Sequence, residues 1–172
     1  MTPLEIQQRG LLDLIKSRGD PPADAYLRSV AGSPQLAMLR TIALWWRAFQ
    51  LEAQCPFSSR LLKRLGRFDA MVAAYFDHHA TSPFVEELSL NFLVLVSADT
   101  DPLVRSVALF EYALLEVRAG SSETFEVQWD RHPDLVVRAL MDGSEIPAPE
   151  PEHLYRMRIA RDLPHMVACT RE

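Results

Sequence analysis

The amino-acid sequence predicts a mostly α-helical (α+β) fold, with an N-terminal bundle of about six or seven helices and a small C-terminal antiparallel β-sheet. Up to Gly120, apolar residues recur at the i, i+3, i+4, i+7 spacing that places side chains on one side of a helix. Beyond Gly120, apolar and polar residues alternate, as they do in half-buried strands. We therefore expect a helical bundle over residues 1–120 and a strand–helix–strand–strand lobe over residues 121–172 that packs on it.

The N-terminal third is predicted to form three helices that are separated by proline and glycine. Thr2-Pro3-Leu4-Glu5 has the form of a capping box, so a helix begins there, and it ends near Gly19-Asp20-Pro21-Pro22. A short amphipathic helix follows from Ala23 to Val30. The longest uninterrupted helical pattern runs from Gln35 to Gln54.

The pattern from Gln35 to Gln54 is wider than one apolar stripe. Two neighbouring edges of this helix are apolar: Leu36, Leu39, Ala43 and Trp46 on one, and Met38, Ile42, Trp45 and Phe49 on the next. Such a helix is either central to the fold or has an additional partner. Because Trp45, Trp46 and Phe49 exceed what one packing stripe needs, we expect them to belong to a partner interface.

Three consecutive helices between Leu65 and Gly120 are predicted to form the core. The first carries apolar residues from Phe68 onward and has His79 at its end, and the second has a stripe that begins at Phe84. A break at 98–102 precedes the third helix, and Gly120 is a suitable left-handed residue at its end.

The segment between the long helix and this core contains a basic cluster. Pro56 interrupts the chain, Ser58 or Ser59 is expected to cap a short helix, and four basic residues follow at helical spacing: Arg60, Lys63, Arg64 and Arg67. Two interpretations stay open. The cluster is either a solvated face or a docking surface for an acidic partner or peptide.

The last 50 or so residues are predicted to contain three strands and one helix. A strand covers Thr124 to Asp130, a helix covers Pro133 to Met141, and a second strand covers Leu154 to Ala160. After a turn that includes Pro164, His165 to Thr170 returns beside the second strand. Arg156 and Arg158 then project to one side, with Arg161 just beyond them.

Composition and motifs disfavour several classes of function. The formal charge of -5 gives no general attraction for nucleic acid or for an anionic membrane, so neither is expected as a partner. No stretch approaches the roughly 20 apolar residues of a membrane span, and no signal peptide is evident, which makes the cytoplasm the expected location.

No catalytic or metal-binding signature is evident either. His78 and His79 are neighbours on a helix and point about 100° apart, so they do not easily share one ion. The same expectation of no metal site covers the histidines of the tail, His132, His153 and His165. Glu111 is the one carboxylate in an apolar setting, and we expect it to pair with a basic or hydroxyl group between helices. Cys55 and Cys169 are expected to be buried, reduced thiols, although a disulfide between them is an alternative.

Five stretches carry a resemblance to a known family. They are LLKRLGRFDAMVAAYF, the Ser82-Pro83 step before a helix with Phe92, PLVRSVALFEYALLE, and the tail segments QWDRHPDLVVRALMDG and LYRMRIARDLP. They resemble a helical family that is named for a DNA-binding domain and is encoded beside multinuclear non-haem iron oxidases. The tail is most similar to the small partner proteins of these oxidases in peptide natural-product (RiPP) biosynthesis, such as the thiaglutamate and methanobactin partners.

The resemblance implies a non-catalytic partner subunit without a cofactor of its own. Such a protein forms a heterodimer with an iron-dependent oxidase, and the oxidase holds the iron. The partner protein binds the leader of a ribosomal precursor peptide, and a cysteine of this peptide is oxidatively modified. The lobe over 121–172 would bind the leader, with Arg156, Arg158 and Arg161 as candidate contacts. The alternative that the family name suggests is a helical DNA-binding protein involved in transcription.

An extended leader could add as a further strand to an open edge of the tail sheet. The arginines of this sheet would then meet acidic residues of the leader. A competing interpretation is internal, because Glu126 and Asp130 on the neighbouring strand could pair with the same arginines.

Overall fold

A computed structural model describes residues 3–15, 24–78, 85–150 and 152–171. The described helices are α1 (Pro3–Ile15), α2 (Ala25–Ala31), α3 (Pro34–Gln54), α4 (Pro56–Arg64), α5 (Phe68–His78), α6 (Val85–Ser97), α7 (Pro102–Arg118) and α8 (Pro133–Asp142). The described strands are β1 (Phe125–Trp129), β2 (Tyr155–Ile159) and β3 (Val167–Arg171), and a short 3-10 helix (Pro164–Met166) precedes β3. The predicted class is confirmed: helices occupy the chain up to Gly120, and the strands follow it.

Several predicted features lie outside the described residues. These are the capping residue Thr2, the turn at Gly19-Asp20-Pro21-Pro22, the start of the second helix at Ala23, His79, the Ser82-Pro83 step and Phe84. The break before α7 is described and agrees with the prediction. Asp101 caps this helix by accepting a hydrogen bond of 2.9 Å from the Leu103 N–H, and Pro102 occupies the first helical position.

The chain divides into two compact units. The first comprises Met1–Gln50 and Asp69–Thr81, and the second comprises Leu51–Phe68 and Ser82–Glu172. The sequence placed the boundary between the bundle and the tail lobe at residue 120. In the structure, the tail shares a unit with α4, α6 and α7.

Helix α7 explains why the tail belongs with these helices. It packs against α4 and α6 and also against β1 and β2. The Phe110 ring of α7 lies 5.7 Å from the Phe57 ring of α4 and 6.0 Å from the Trp129 ring of β1. One helix therefore supplies the core of both the helical layer and the sheet, so the sheet has no separate core.

The sheet has the order β1-β2-β3 and is antiparallel throughout. Trp129 is opposite Tyr155, and Ile159 is opposite Val167. In β1 and β2, the side chains on the face of the sheet that packs against α7 are buried: Val127, Trp129, Tyr155, Met157 and Ile159. This alternation is the one that the sequence predicts.

Candidate functional site

The three residues predicted as a partner interface form an exposed aromatic cluster on α3. Trp45, Trp46 and Phe49 are 64%, 53% and 51% exposed. The Phe49 ring stacks on both indoles, with ring centroids 6.1 Å from Trp45 and 5.8 Å from Trp46. The aromatic side chains therefore contact one another on the surface instead of filling a core.

This cluster continues into a longer apolar surface, which we call the α3 face and define by Met38, Leu39, Ile42, Trp45, Trp46 and Phe49. Met38 and Ile42 are 59% and 52% exposed, and Leu39 is 48% exposed. A large apolar side chain covers about 150–250 Å², so six that are about half exposed present on the order of 600 Å². That matches the largest patches that monomeric proteins show, which are often functional.

The other side of α3 packs within the first unit. The Arg40 Nε donates a hydrogen bond of 2.8 Å to the Leu14 carbonyl of α1. The Arg47 guanidinium lies 4.7 Å from the centre of the Phe76 ring of α5. Of the α3 residues, only Leu36 and Leu51 are buried. Of the two predicted alternatives, α3 is therefore not a central helix, and its apolar width faces solvent.

The predicted peptide-binding arginines are found on and beside the central strand of the sheet. Arg156 lies 3.3 Å from Glu126 on β1, and Arg158 lies 3.8 Å from Asp162. Arg161 is exposed in the turn after β2. The internal pairing with Glu126 that the sequence left open is thus present for Arg156.

The second predicted internal partner, Asp130, is engaged elsewhere. Its carboxylate accepts a hydrogen bond of 2.7 Å from the Arg131 Nε, and Arg131 also donates to the Pro147 carbonyl at 3.0 Å. Asp130 therefore pairs with Arg131, which contacts the loop before β2. The β2 arginines pair with other residues.

The two outer edges of the sheet differ in their accessibility. At β1, the Ser106 hydroxyl of α7 lies 2.7 Å from the Gln128 carbonyl, so α7 occupies part of that edge. At β3, the Ala160 N–H donates to the Met166 carbonyl at 3.0 Å. By strand alternation, the backbone groups of Val167, Cys169 and Arg171 then point away from β2. The edge of β3 is therefore the better template for an added strand.

Arg60, Lys63 and Arg64 of the basic cluster are exposed, as a solvated face would be, but two of the arginines also bind the C-terminus of α8. The Arg60 Nη1 donates to the Leu140 carbonyl at 3.2 Å. Arg64 donates to the Ala139 carbonyl and, at 2.7 Å, to the Ser144 carbonyl. Carbonyls at a helix end have no partner within the helix and carry the negative end of its dipole. These side chains are thus an internal cap.

The other two members of the cluster form ion pairs. Lys63 lies 2.6 Å from Glu52, and Arg67 pairs with Asp99 in the turn before α7. All four cations therefore have partners within the second unit. This leaves the cluster little capacity to bind an acidic peptide.

Replacing Arg64 with methionine is expected to lower the free energy of unfolding by about 1–2 kcal/mol, because carbonyls at the end of α8 lose a charged donor. Thermal or denaturant unfolding measures this change. Lys63→Met is the matched control, since it removes an exposed ion pair with Glu52 and a contact of the Lys63 ammonium with the Phe68 ring, and it should change stability by less than about 1 kcal/mol. Equal effects of the two substitutions would contradict the capping role.

Glu111 is buried, and its carboxylate is paired between helices with groups at the start of α4. Its two carboxylate oxygens accept hydrogen bonds of 2.8 Å from the backbone N–H groups of Phe57 and Ser58. These groups lie in the first turn of α4, which begins at Pro56. The sequence predicted Ser58 or Ser59 as the N-cap of α4, but the N-cap is Cys55, whose side chain makes no capping hydrogen bond. The Glu111 side chain supplies the acceptors from a different helix.

The surroundings of Glu111 are apolar enough to affect titration. Burial raises the pKa of Glu111 to about 7, although hydrogen bonding from Ser58 and Phe57 and the charge of Arg118 act in the opposite direction. Burial, with the charge of Glu111 in addition, also raises the pKa of the Cys55 thiol, so this thiol stays protonated. Neither cysteine is in a disulfide, and Cys55 is buried as predicted. The predicted burial is wrong for Cys169, which is exposed because it lies in the outer strand β3.

The described part of the chain offers few other sites. No group of three or more histidine, cysteine or acidic side chains lies close enough within it to hold a metal ion. The His132 ring lies 5.1 Å from the Tyr155 ring, at the N-terminus of α8. Among the described helices, none combines the length and apolar character required to cross a membrane.

The sequence predicted that Met38 and Ile42 share an apolar edge of α3 with the aromatic residues, and that Leu39 lies on the neighbouring edge with Trp46. Only the three aromatic residues were predicted as an interface, because helical spacing alone does not separate a buried face from an exposed one. No protein-family model, curated protein or solved structure was found to match this chain. The likeness to oxidase partner proteins therefore stays a prediction.

Proposed function

We propose that this protein is a non-catalytic partner subunit that forms a heterodimer with an iron-dependent oxidase and binds the leader of a ribosomal precursor peptide. In this complex a cysteine of the precursor is oxidatively modified. The observation that carries the proposal is the exposed α3 face, with Trp45, Trp46 and Phe49 at its C-terminal end. Large exposed aromatic residues are typical of the centre of protein–protein interfaces.

The roles within the complex are divided between the subunits. The oxidase holds the iron and carries out the chemistry, and this protein supplies binding surfaces. We propose the cytoplasm as the location, since ribosomal precursor peptides are made there. The motifs of α4, α5, α7 and the tail support this assignment through their likeness to oxidase partner proteins.

The leader is proposed to bind the second unit at the edge of β3. An extended segment would pair with the outward backbone groups of Val167, Cys169 and Arg171, and the main chain would supply most of the affinity. Arg161 and Arg171 would favour an acidic leader. Arg156 and Arg158 contribute less, because Glu126 and Asp162 already lie beside them.

Co-purification with the oxidase tests the proposal. A complex of equal stoichiometry is expected, with the iron in the oxidase subunit. Trp45→Glu should weaken this complex by about 100-fold or more, because a charge would be buried at the interface. Leu135→Glu is the matched control, as Leu135 is an exposed apolar residue on α8 and should have little effect.

Two outcomes would contradict the proposal. One is a folded Trp45→Glu variant that binds the oxidase as tightly as the unaltered protein. The other is salt-sensitive binding of duplex DNA by the purified chain without any association with an oxidase, which would favour the transcription-related alternative.

A further inference from the structure

We propose that, without its partner, the protein forms an antiparallel homodimer in which the α3 faces of two copies pack against each other. The dimer itself follows from the α3 face alone. Its regulatory consequence rests on the proposed function: the second copy would occupy the surface that the oxidase requires, so the homodimer and the heterodimer would exclude each other.

The area of the α3 face is close to what a dimer needs. A standard interface buries about 800 Å² on each partner, and the α3 face alone offers on the order of 600 Å² of apolar surface. Neighbouring polar atoms at the rim would add to this. An interface at the lower end of the range predicts a dimer that dissociates on dilution.

The spacing of the α3 face suits a second helix. Met38, Ile42, Trp45 and Phe49 follow one another at intervals of four, three and four residues. This is the alternation of a heptad seam, whose side chains insert between those of a facing helix. A second α3 is a helix with that same seam.

The distribution of side chains favours an antiparallel pair. Aliphatic residues form the N-terminal half of the α3 face, and the aromatic residues form the C-terminal half. When two copies run in opposite directions, Ile42 lies opposite Trp45 of the second copy, and Met38 lies opposite Phe49. Each ring then packs on an aliphatic side chain, whereas a parallel pair would place bulky rings against each other. The helix dipoles also oppose in this arrangement.

Charge does not prevent this pairing. Between Met38 and Phe49 the charged residues of α3 are Arg40 and Arg47. Both lie on the other side of the helix, where Arg40 contacts Leu14 and Arg47 contacts Phe76. Two α3 faces can therefore meet without bringing like charges together, and the same apolar surface offers little to discriminate one partner from another.

Sedimentation of the purified full chain at about 1–100 μM tests the dimer. The expected mass rises with concentration towards twice the monomer mass of 19.5 kDa. Ile42→Glu, at the centre of the α3 face, should weaken association by about 100-fold or more, and Leu135→Glu should leave it unchanged. Circular dichroism checks that both variants are folded. A mass of one monomer at every concentration, or unchanged dimerisation of Ile42→Glu, would overturn the proposal.

Cross-linking tests the orientation. In a Cys169→Ser background, which removes the exposed thiol, Met38→Cys and Phe49→Cys chains are mixed and oxidised. Mass spectrometry should detect peptides that join position 38 of one copy to position 49 of the other. Predominant 38-to-38 links would refute the antiparallel arrangement.

Addition of the oxidase separates this proposal from the proposed function. Conversion of homodimer into heterodimer supports both. A homodimer that persists and binds no oxidase would refute the proposed function alone, and a heterodimer formed by a chain that never self-associates would refute the homodimer alone.

Discussion

Replacement of Glu111 with alanine should lower the free energy of unfolding by about 3–5 kcal/mol. The side chain is 2% exposed, and it is the acceptor for two backbone N–H groups in the first turn of α4. Alanine would leave the N–H groups of Phe57 and Ser58 without this acceptor in a largely buried setting. It would also leave a cavity beside α7.

Chemical denaturation measures the change, and Glu87→Ala provides the control. Glu87 is an exposed carboxylate on α6, so its removal should alter stability by less than about 0.5 kcal/mol. Glu111→Gln should fall between the two, because the amide retains one acceptor oxygen and places an N–H₂ group against the other donor. Similar stabilities of Glu111→Ala and Glu87→Ala would show that the first turn of α4 does not depend on Glu111.

The free energy of unfolding should also fall between about pH 5 and pH 7, by at most about 3 kcal/mol from this residue. Burial raises the pKa of Glu111 from its ordinary value of 4.5 to about 7 in the folded protein. Between these values the folded state binds more protons than the unfolded state. Stability is therefore greatest below the ordinary pKa and is lost as the pH rises through the folded pKa.

Comparison with Glu111→Gln isolates this contribution. Other carboxylates that are paired in the folded state change stability in the opposite direction, and they are common to both proteins. The difference in unfolding free energy between the two proteins should thus vary with pH mainly through Glu111. A difference that is constant from pH 5 to pH 7.5 would mean that the two N–H donors, and not burial, control its titration.

Much of the fold could be predicted from the sequence because its signals are local. Pro102 and Asp101 determine where α7 begins, and the alternation around Val127 and Met157 determines the sheet faces. The contact between Glu111 and the first turn of α4 was not predictable in this way. It joins residues that are more than 50 positions apart, and nothing in the sequence of α4 indicates an acceptor on another helix.

The candidate surfaces were predicted in part. The apolar width of α3 indicated more surface than one packing stripe requires, and Trp45 and Trp46 are indeed exposed. The internal role of the basic cluster was not predicted, because helical spacing shows that Arg60 and Arg64 share a side of α4 but not what faces that side. The end of α8, about 80 residues later in the chain, faces it.

The contacts at the two ends of α4 make the second unit cooperative. Glu111 joins the start of α4 to α7, and Arg60 and Arg64 join its last turns to the end of α8. Fraying of α8 would remove the acceptors of two guanidinium groups, and unfolding of α4 would leave the buried Glu111 carboxylate without its donors. These three helices should therefore open together as one foldon.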